Sequence, residues 1–153
     1  LQRDDGLTLV SSMTVNAQAG SLSGTNGNDI IDGAHATDIE LVINALAGDD
    51  LVRDGECNDV IHGGDGNDVL RYNWAVNGDD VYYGDAGNDT LDAGLGTDTM
   101  VGGSGNDLYM EENLWSGDHT TIDNSTAAVG DIDTLQIGGE GFGMQDYRSL
   151  WFT

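Results

Sequence analysis

The stretch GGDGNDVLR, residues 63–71, places three glycines and two aspartates directly before an apolar pair. Glycine adopts positive φ angles at little cost, and Asn and Asp tolerate left-handed conformations, so residues 63–68 predict a turn. Val69 and Leu70 favour a short β-strand after that turn. A single stretch of this kind is compatible with an ordinary turn, so the fold depends on whether the stretch recurs.

The pattern recurs eight times with a basic period of nine residues. The eight stretches are GTNGNDIID (24–32), ALAGDDLVR (45–53), DGECNDVIH (54–62), GGDGNDVLR (63–71), AVNGDDVYY (75–83), GDAGNDTLD (84–92), AGLGTDTMV (93–101) and GGSGNDLYM (102–110). Their aligned aspartates are Asp29, Asp50, Asp59, Asp68, Asp80, Asp89, Asp98 and Asp107. Recurrence at one period identifies a repeat protein, and this decides the class of fold.

Two longer steps interrupt the period of nine. The 21-residue step from Asp29 to Asp50 divides into 9 and 12 if Asp38, in the degenerate stretch GAHATDIEL, marks a ninth turn. That stretch lacks the glycine pair and has Glu40 where an apolar residue is expected. The two steps of 12 then predict three-residue insertions near 42–44 and 72–74.

A nine-residue unit of turn and short strand predicts a solenoid. Two units make one circuit, so that parallel strands stack in two sheets around a thin apolar core. The predicted fold class is therefore all-β. The eighth residue of each unit is expected to point into the core, and these residues are Ile31, Val52, Ile61, Leu70, Tyr82, Leu91, Met100 and Tyr109.

Stacking also brings the aspartates of equivalent turns close together. Neighbouring turns lie about 4.8 Å apart, and two carboxylates at that distance repel by roughly 1 kcal/mol in water and more at lower dielectric. A calcium ion takes oxygen ligands at about 2.3–2.6 Å, so an ion between two turns can reach oxygens on both. Glycines free the backbone to point carbonyl oxygens inward. The sequence therefore predicts calcium sites between stacked turns.

The composition excludes several classes of partner. The 153 residues include 28 acidic residues against four arginines and no lysine, for a formal net charge of −24. Nucleic-acid binding requires the opposite sign of charge, and an anionic membrane surface is disfavoured for the same reason. No run of 18 apolar residues exists to span a bilayer. The single cysteine, Cys57, excludes an internal disulfide.

These repeats resemble the RTX (repeat-in-toxin, haemolysin-type calcium-binding) family, whose nonapeptide reads G-G-x-G-x-D-x-U-x. The resemblance covers residues 24–110 and implies a right-handed parallel β-roll. It also implies that the eight aligned aspartates supply side-chain ligands to several Ca²⁺ ions. Backbone carbonyls of the preceding turns complete the sites, and the candidates are Gly27, Gly48, Gly64, Gly66, Gly78, Gly87, Gly96, Gly103 and Gly105. Cys57 departs from the family pattern because it replaces the glycine of its turn.

The two flanks are expected to lie outside the nonapeptide block. Residues 1–23 form an N-terminal flank with a possible strand in LTLVSSMTV. Residues 111–153 resemble the segment that closes haemolysin-type repeat blocks, with a turn at 117–122, a strand at 133–135 and a final Leu-Trp-Phe. We expect a C-terminal β capping segment, because a solenoid otherwise ends in bare strand edges. We also expect the chain to be a truncated piece of a longer protein.

Catalysis is not expected in this chain. His35, His62 and His119 share no metal-ligand spacing, and neither a nucleophile elbow nor a phosphate-binding loop occurs. Packing in the core or cap is the favoured role of the tryptophans, and a sugar-binding platform is the alternative. The tryptophans are Trp74, Trp115 and Trp151.

The family resemblance implies a bacterial, extracellular protein exported by type I secretion machinery. The predicted function is folding on exposure to extracellular calcium, as a monomeric module of a larger toxin, enzyme or adhesin. A catalytic domain of that larger protein would lie outside this chain. The alternative is a surface-adhesion or carbohydrate-binding module.

Overall fold

The computed structural model describes residues 20–33, 38–72, 78–111 and 118–138. In these ranges the chain forms twelve β-strands, β1 to β12, and no helix. In chain order they are Ser21–Ser23, Ile30–Asp32, Val42–Ala47, Leu51–Arg53, Val60–Asp65, Val69–Arg71, Val81–Ala86, Thr90–Asp92, Thr97–Ser104, Leu108–Glu111, His119–Ile122 and Thr134–Ile137.

The strands alternate between two parallel sheets. The odd-strand sheet has the order β1-β3-β5-β7-β9-β11, and the even-strand sheet has the order β12-β10-β8-β6-β4-β2. Each strand pairs with the strand two elements away in the chain, as Ile61 does with Tyr82 and Leu70 with Leu91. Two nonapeptides therefore make one circuit. The structure confirms the predicted β-solenoid, with the architecture of a parallel β-roll.

The core lies in a single layer between the two sheets. All eight residues predicted to point inward are buried, and none exposes more than 2% of its surface. Leu22, Leu41 and Ile43 extend the core toward the N-terminal end. The prediction of core positions from the period of nine is confirmed, because a strand of alternating faces presents the same position inward in every coil.

The first predicted insertion was placed wrongly. Residues 42–44 form the start of β3, where Val42 pairs with Val60 and Ile43 with Ile61. The extra residues therefore fall between β2 and β3. Asp38 is exposed, and Leu41 precedes β3 where Asp59 precedes β5, so Asp38 does not mark a ninth turn. The alternation of buried and exposed residues explains the register of β3, because Leu41 and Ile43 are both buried while Val42 points outward.

The second insertion lies between β6 and β7, where Tyr72 is buried and residues 73–77 are outside the described ranges. Strands β3, β5, β7 and β9 of the odd-strand sheet are longer than the three residues that follow the turn in each nonapeptide. β3, β5 and β7 each contain six residues, whereas β4, β6 and β8 contain three. They are longer because pairing continues into the turn, as between Gly64 and Asp85.

The solenoid continues beyond residue 110. Strand β11 pairs in parallel with β9, and β12 pairs in parallel with β10, so residues 118–138 add a further coil. Ile122 and Leu135 pack against the core from this coil. The predicted strand at 133–135 corresponds to β12, whereas β11 occupies part of the predicted turn at 117–122. The predicted strand LTLVSSMTV and the final Leu-Trp-Phe lie outside the described residues.

Leu46 lies in a column of residues with left-handed backbone, a conformation that disfavours any residue with a side chain. Leu46 has φ 84° and pairs with Gly64, whose φ is 109°. Replacing Leu46, which is 44% exposed, with glycine is expected to raise the free energy of unfolding by about 1 kcal/mol, because left-handed φ angles cost side chains roughly 1–2 kcal/mol. Denaturant unfolding at saturating calcium measures this change.

The neighbouring Ala47→Gly is the matched control and is expected to lower the free energy of unfolding by about 0.5–1 kcal/mol. An equal decrease in the free energy of unfolding of both variants would contradict the strain at Leu46.

Candidate metal centre

The aspartates of the repeats form two columns on opposite edges of the roll. The turns that precede the even strands carry the long column. The turns that precede β5 and β7, together with the start of β9, carry the short column. The long column consists of Asp29, Asp50, Asp68, Asp89, Asp107 and Asp133. The short column consists of Asp59, Asp80 and Asp98. All eight predicted aspartates therefore lie in a column, and Asp133 was not predicted.

One oxygen of each paired carboxylate is held by the backbone of the neighbouring coil. In the long column the N–H of Asp50 donates to Oδ1 of Asp68 at 2.8 Å, and the N–H of Asp68 donates to Oδ1 of Asp89 at 2.8 Å. The short column repeats this arrangement, since the N–H of Asp59 donates to Oδ1 of Asp80 at 2.8 Å. These hydrogen bonds orient the carboxylates from Asp50 onward in the same way along the long column.

The second oxygen of most column aspartates is buried and accepts no hydrogen bond. The Oδ2 atoms concerned belong to Asp50, Asp68, Asp89, Asp98, Asp107 and Asp133. A buried carboxylate oxygen without a partner is costly, and a cation satisfies it. Calcium favours carboxylate and carbonyl oxygens, so the donor set of the columns fits Ca²⁺.

Glycines keep these oxygens and the backbone carbonyls accessible to an ion. A Cβ atom on Gly66 would collide with the carbonyl oxygen of Gly48, and one on Gly87 would collide with that of Gly66. A Cβ on Gly84 would meet Oδ2 of Asp89 and lie 2.5 Å from the carbonyl oxygen of Gly102. Side chains at these positions would therefore fill the space that the oxygens face.

The predicted carbonyl donors divide between the two edges. Gly78 and Gly96 lie on the edge of the short column, where a Cβ on Gly96 would collide with the carbonyl oxygen of Gly78. The remaining predicted donors lie on the edge of the long column, and these are Gly27, Gly48, Gly64, Gly66, Gly87, Gly103 and Gly105.

The family model described as the RTX calcium-binding nonapeptide repeat, in four copies, matches residues 16–39, 42–70 and 74–109. The matched residues make up more than half of the chain. The chain belongs to the RTX calcium-binding nonapeptide repeat family. It is thus a calcium-binding β-roll, and Ca²⁺ is its cofactor. Calcium would supply positive charge between the stacked carboxylates. The chain has no match among the curated proteins or among the solved structures.

Cys57 keeps its turn within the RTX pattern although it replaces a glycine. A Cβ on Gly78 would lie 2.5 Å from the carbonyl oxygen of Cys57, as a Cβ on Gly96 would face that of Gly78. The substitution therefore leaves a carbonyl in the column. The thiol of Cys57 is partly buried, and desolvation together with nearby carboxylates such as Asp59 raises its pKa. A raised pKa makes the thiol a poor nucleophile.

Asp54 is a buried carboxylate of the short-column edge that the sequence analysis missed. Asp54, Asp59 and Asp80 offer ligand atoms within 4.8 Å of one another, and this RTX cluster could hold a metal ion. The hydroxyl of Tyr82 donates to Oδ2 of Asp54 at 2.6 Å. Asp54 occupies the first position of the stretch DGECNDVIH, where a glycine stands in the best repeats. An acidic residue at that position was the available signal.

The fifth residue of each RTX repeat forms a second hydrogen-bond ladder, on the surface. The N–H of Asn88 donates to Oδ1 of Asn67 at 2.9 Å, and the N–H of Asn106 donates to Oδ1 of Asn88 at 2.8 Å. The side-chain amides of Asn88 and Asn106 donate to the same oxygens at 3.2 Å. From the sequence these residues indicated only a tolerance of left-handed backbone, whereas the structure shows that they join successive coils.

Burial raises the pKa values of Asp68, Asp80, Asp89 and Asp98 well above the ordinary range of aspartate. Desolvation is the largest cause, and nearby carboxylates raise the values further. The pKa reaches about 6 for Asp68 and Asp98, about 7 for Asp89 and about 8 for Asp80. Without calcium, the roll therefore holds protons that the unfolded chain releases.

This difference predicts how the calcium-free chain responds to pH. A raised folded-state pKa adds stability at low pH, and that stability is lost as the pH rises through the folded-state value. In chelating buffer, lowering the pH from about 8 to about 5 is therefore expected to increase the β-sheet circular dichroism signal. A chelated chain that is equally unstructured at both pH values would contradict the burial of the columns.

The described histidines do not join the metal centre. His62 lies on the outer face of the odd-strand sheet, where its ring stacks on Tyr83 with centroids 4.5 Å apart and its Nδ1 lies 3.1 Å from Asp85. His119 begins β11 and is exposed. His35 and the three tryptophans fall outside the described residues. Within the described ranges, the chain forms no helix that could cross a lipid bilayer.

Proposed function

We propose that this RTX β-roll folds when it meets extracellular calcium and so supports the secretion and folding of a larger exported bacterial protein. The observation that carries the proposal is the row of buried Oδ2 atoms without hydrogen-bond partners in the aspartate columns. The folded arrangement concentrates carboxylates, and a bound cation would satisfy their unpaired oxygens. Calcium therefore controls whether the roll is stable.

The charge of the chain supports this coupling. With a formal net charge of −24, the chain repels itself at low calcium concentration. Ligands that come together only on folding turn the free energy of calcium binding into free energy of folding. Extracellular calcium modules work at about 10⁻⁴–10⁻³ M, and we expect the folding midpoint in that range. At cytosolic calcium the chain then stays unfolded and can be threaded through an export channel.

The exported protein is a toxin, an enzyme or an adhesin, and type I secretion machinery is its export partner. The chain acts in the extracellular medium or at the cell surface, as a monomer. It has no catalytic step of its own in this proposal. Its contribution is to fold after export and to stabilise the protein that carries it.

Circular dichroism during a calcium titration tests the proposal. In chelating buffer at neutral pH we expect an unstructured spectrum, and millimolar calcium should convert it to a β-sheet spectrum in a steep transition. Magnesium is the matched control and should substitute poorly, because it requires octahedral geometry and releases water reluctantly. A fully folded chelated chain at ordinary ionic strength would refute calcium-triggered folding.

A further inference from the structure

The long column continues past the last residue that the RTX family model matches, which is residue 109. The N–H of Asp107 donates to Oδ1 of Asp133 at 2.7 Å, as the N–H of Asp89 donates to Oδ1 of Asp107 at 2.9 Å. Asp133 lies 26 residues after Asp107, and its turn reads AVGDID instead of a glycine-rich repeat. The hydrogen-bond geometry is therefore that of the repeats although the sequence motif is absent.

Both aspartates of this last step of the column have an unpaired oxygen. Oδ2 of Asp107 and Oδ2 of Asp133 are both buried without a hydrogen-bond partner, and Asp107 exposes only 1% of its surface. A Cβ on Gly102 would collide with Oδ2 of Asp107 and would lie 2.5 Å from the hydroxyl of Tyr109. The glycine thus leaves open the space that the buried Asp107 oxygen faces.

The final turn is held in register by its own hydrogen bonds. Oδ2 of Asp131 accepts from the N–H groups of Gly105 at 2.9 Å and Ala128 at 2.7 Å. The N–H of Ile132 donates to Oδ1 of Asn106 at 2.7 Å. Gly130 has φ 108°, so this turn also contains a left-handed glycine. These contacts hold the turn in the stack and leave Oδ2 of Asp133 unpaired.

We propose that Asp107 and Asp133 hold a further calcium ion between the last matched repeat and the coil of β11 and β12. The site goes beyond calcium-triggered folding of the repeats, because it makes the attachment of the C-terminal coil depend on calcium. Two carboxylates on hydrogen-bonded neighbouring turns, each with a buried and unpaired oxygen, form a hard, anionic donor set, which selects a divalent cation such as Ca²⁺.

The Asp133→Asn variant of the full chain tests the site. Asparagine keeps an oxygen for the Asp107 N–H and removes the charge. Native mass spectrometry and calorimetric titration with calcium should show one ion fewer per chain, or a fall of at least about tenfold in the affinity of one site. Hydrogen exchange at saturating calcium should show protection lost at β12 and kept at β6 and β8.

Asp123→Asn is the matched control, because Asp123 is an exposed carboxylate of the same coil that accepts from the N–H of Ser125 at 2.9 Å. It should bind calcium as the wild type does. An unchanged ion count and unchanged affinities in Asp133→Asn would overturn the site and leave calcium-triggered folding intact. A wild-type chain that folds without calcium would instead refute the proposed function.

A variant that fails to fold leaves the proposal testable. If Asp133→Asn stays unfolded at every calcium concentration, Asp133→Glu decides, because it restores the charge on a longer side chain. Folding of Asp133→Glu with the wild-type ion count supports the site. If Asp133→Glu also fails to fold, or folds with one ion fewer than the wild type, restoring the charge does not restore the site and the proposal is overturned.

Discussion

Replacing Asp89 with alanine is expected to raise the calcium concentration at the folding midpoint by at least about tenfold. The change removes a column carboxylate and leaves the buried N–H of Asp68 without its 2.8 Å acceptor. An unsatisfied buried donor costs about 1–3 kcal/mol, and 1.4 kcal/mol corresponds to a factor of ten. Asp68→Ala should have a similar effect, because it deprives the N–H of Asp50 in the same way.

Asp38→Ala is the control for both variants. Asp38 is exposed and lies outside both aspartate columns, so its removal should leave the midpoint within about twofold. Calcium titrations followed by circular dichroism compare the three variants. Equal shifts in all three would mean that general loss of negative charge, and not the long column, sets the calcium dependence.

A chain that ends at Met110 is expected to stay disordered or to aggregate at calcium concentrations that fold the full chain. The deletion removes β11 and β12, which pair with β9 and β10 at the C-terminal end of both sheets. Met100 and Tyr109 are buried in the full chain and would lose the cover of Ile122 and Leu135. Exposing each large side chain costs about 1.5–3 kcal/mol, and bare strand edges promote aggregation.

A chain that ends at Gly138 is the matched comparison, because it keeps β11 and β12. Circular dichroism and light scattering during calcium titration distinguish the two. If the chain that ends at Gly138 folds and the chain that ends at Met110 does not, folding requires the coil of β11 and β12. Folding of the Met110 chain with an unchanged midpoint would show that the repeats nucleate folding without that coil.

Much of the fold follows from the period of nine residues by itself. Because Leu70 and Leu91 occupy the same position of their repeats, a solenoid that stacks one repeat on another must bury both, and it does. The same reasoning brings Asp68 and Asp89 into one column of stacked turns. The glycines around them indicate where left-handed backbone and close approach are needed. In a repeat protein, the position of a residue within its repeat decides its place in the fold. The sequence alone therefore determines two sheets, one core layer and acidic turns.

Where the repeat is interrupted, only the tertiary structure determines which strands pair and which residues join the columns. Val42 and Ile43 could be read as inserted residues, because a local pattern does not say which strand they pair with; pairing with Val60 and Ile61 settles the register. Asp133 lies 26 residues after Asp107 and beyond the last matched repeat, and it joins the long column because strand pairing places its turn over Asp107. Hydrogen bonding also decides which carboxylate oxygen remains available to an ion. These features depend on contacts between coils, which the order of residues within one coil does not specify.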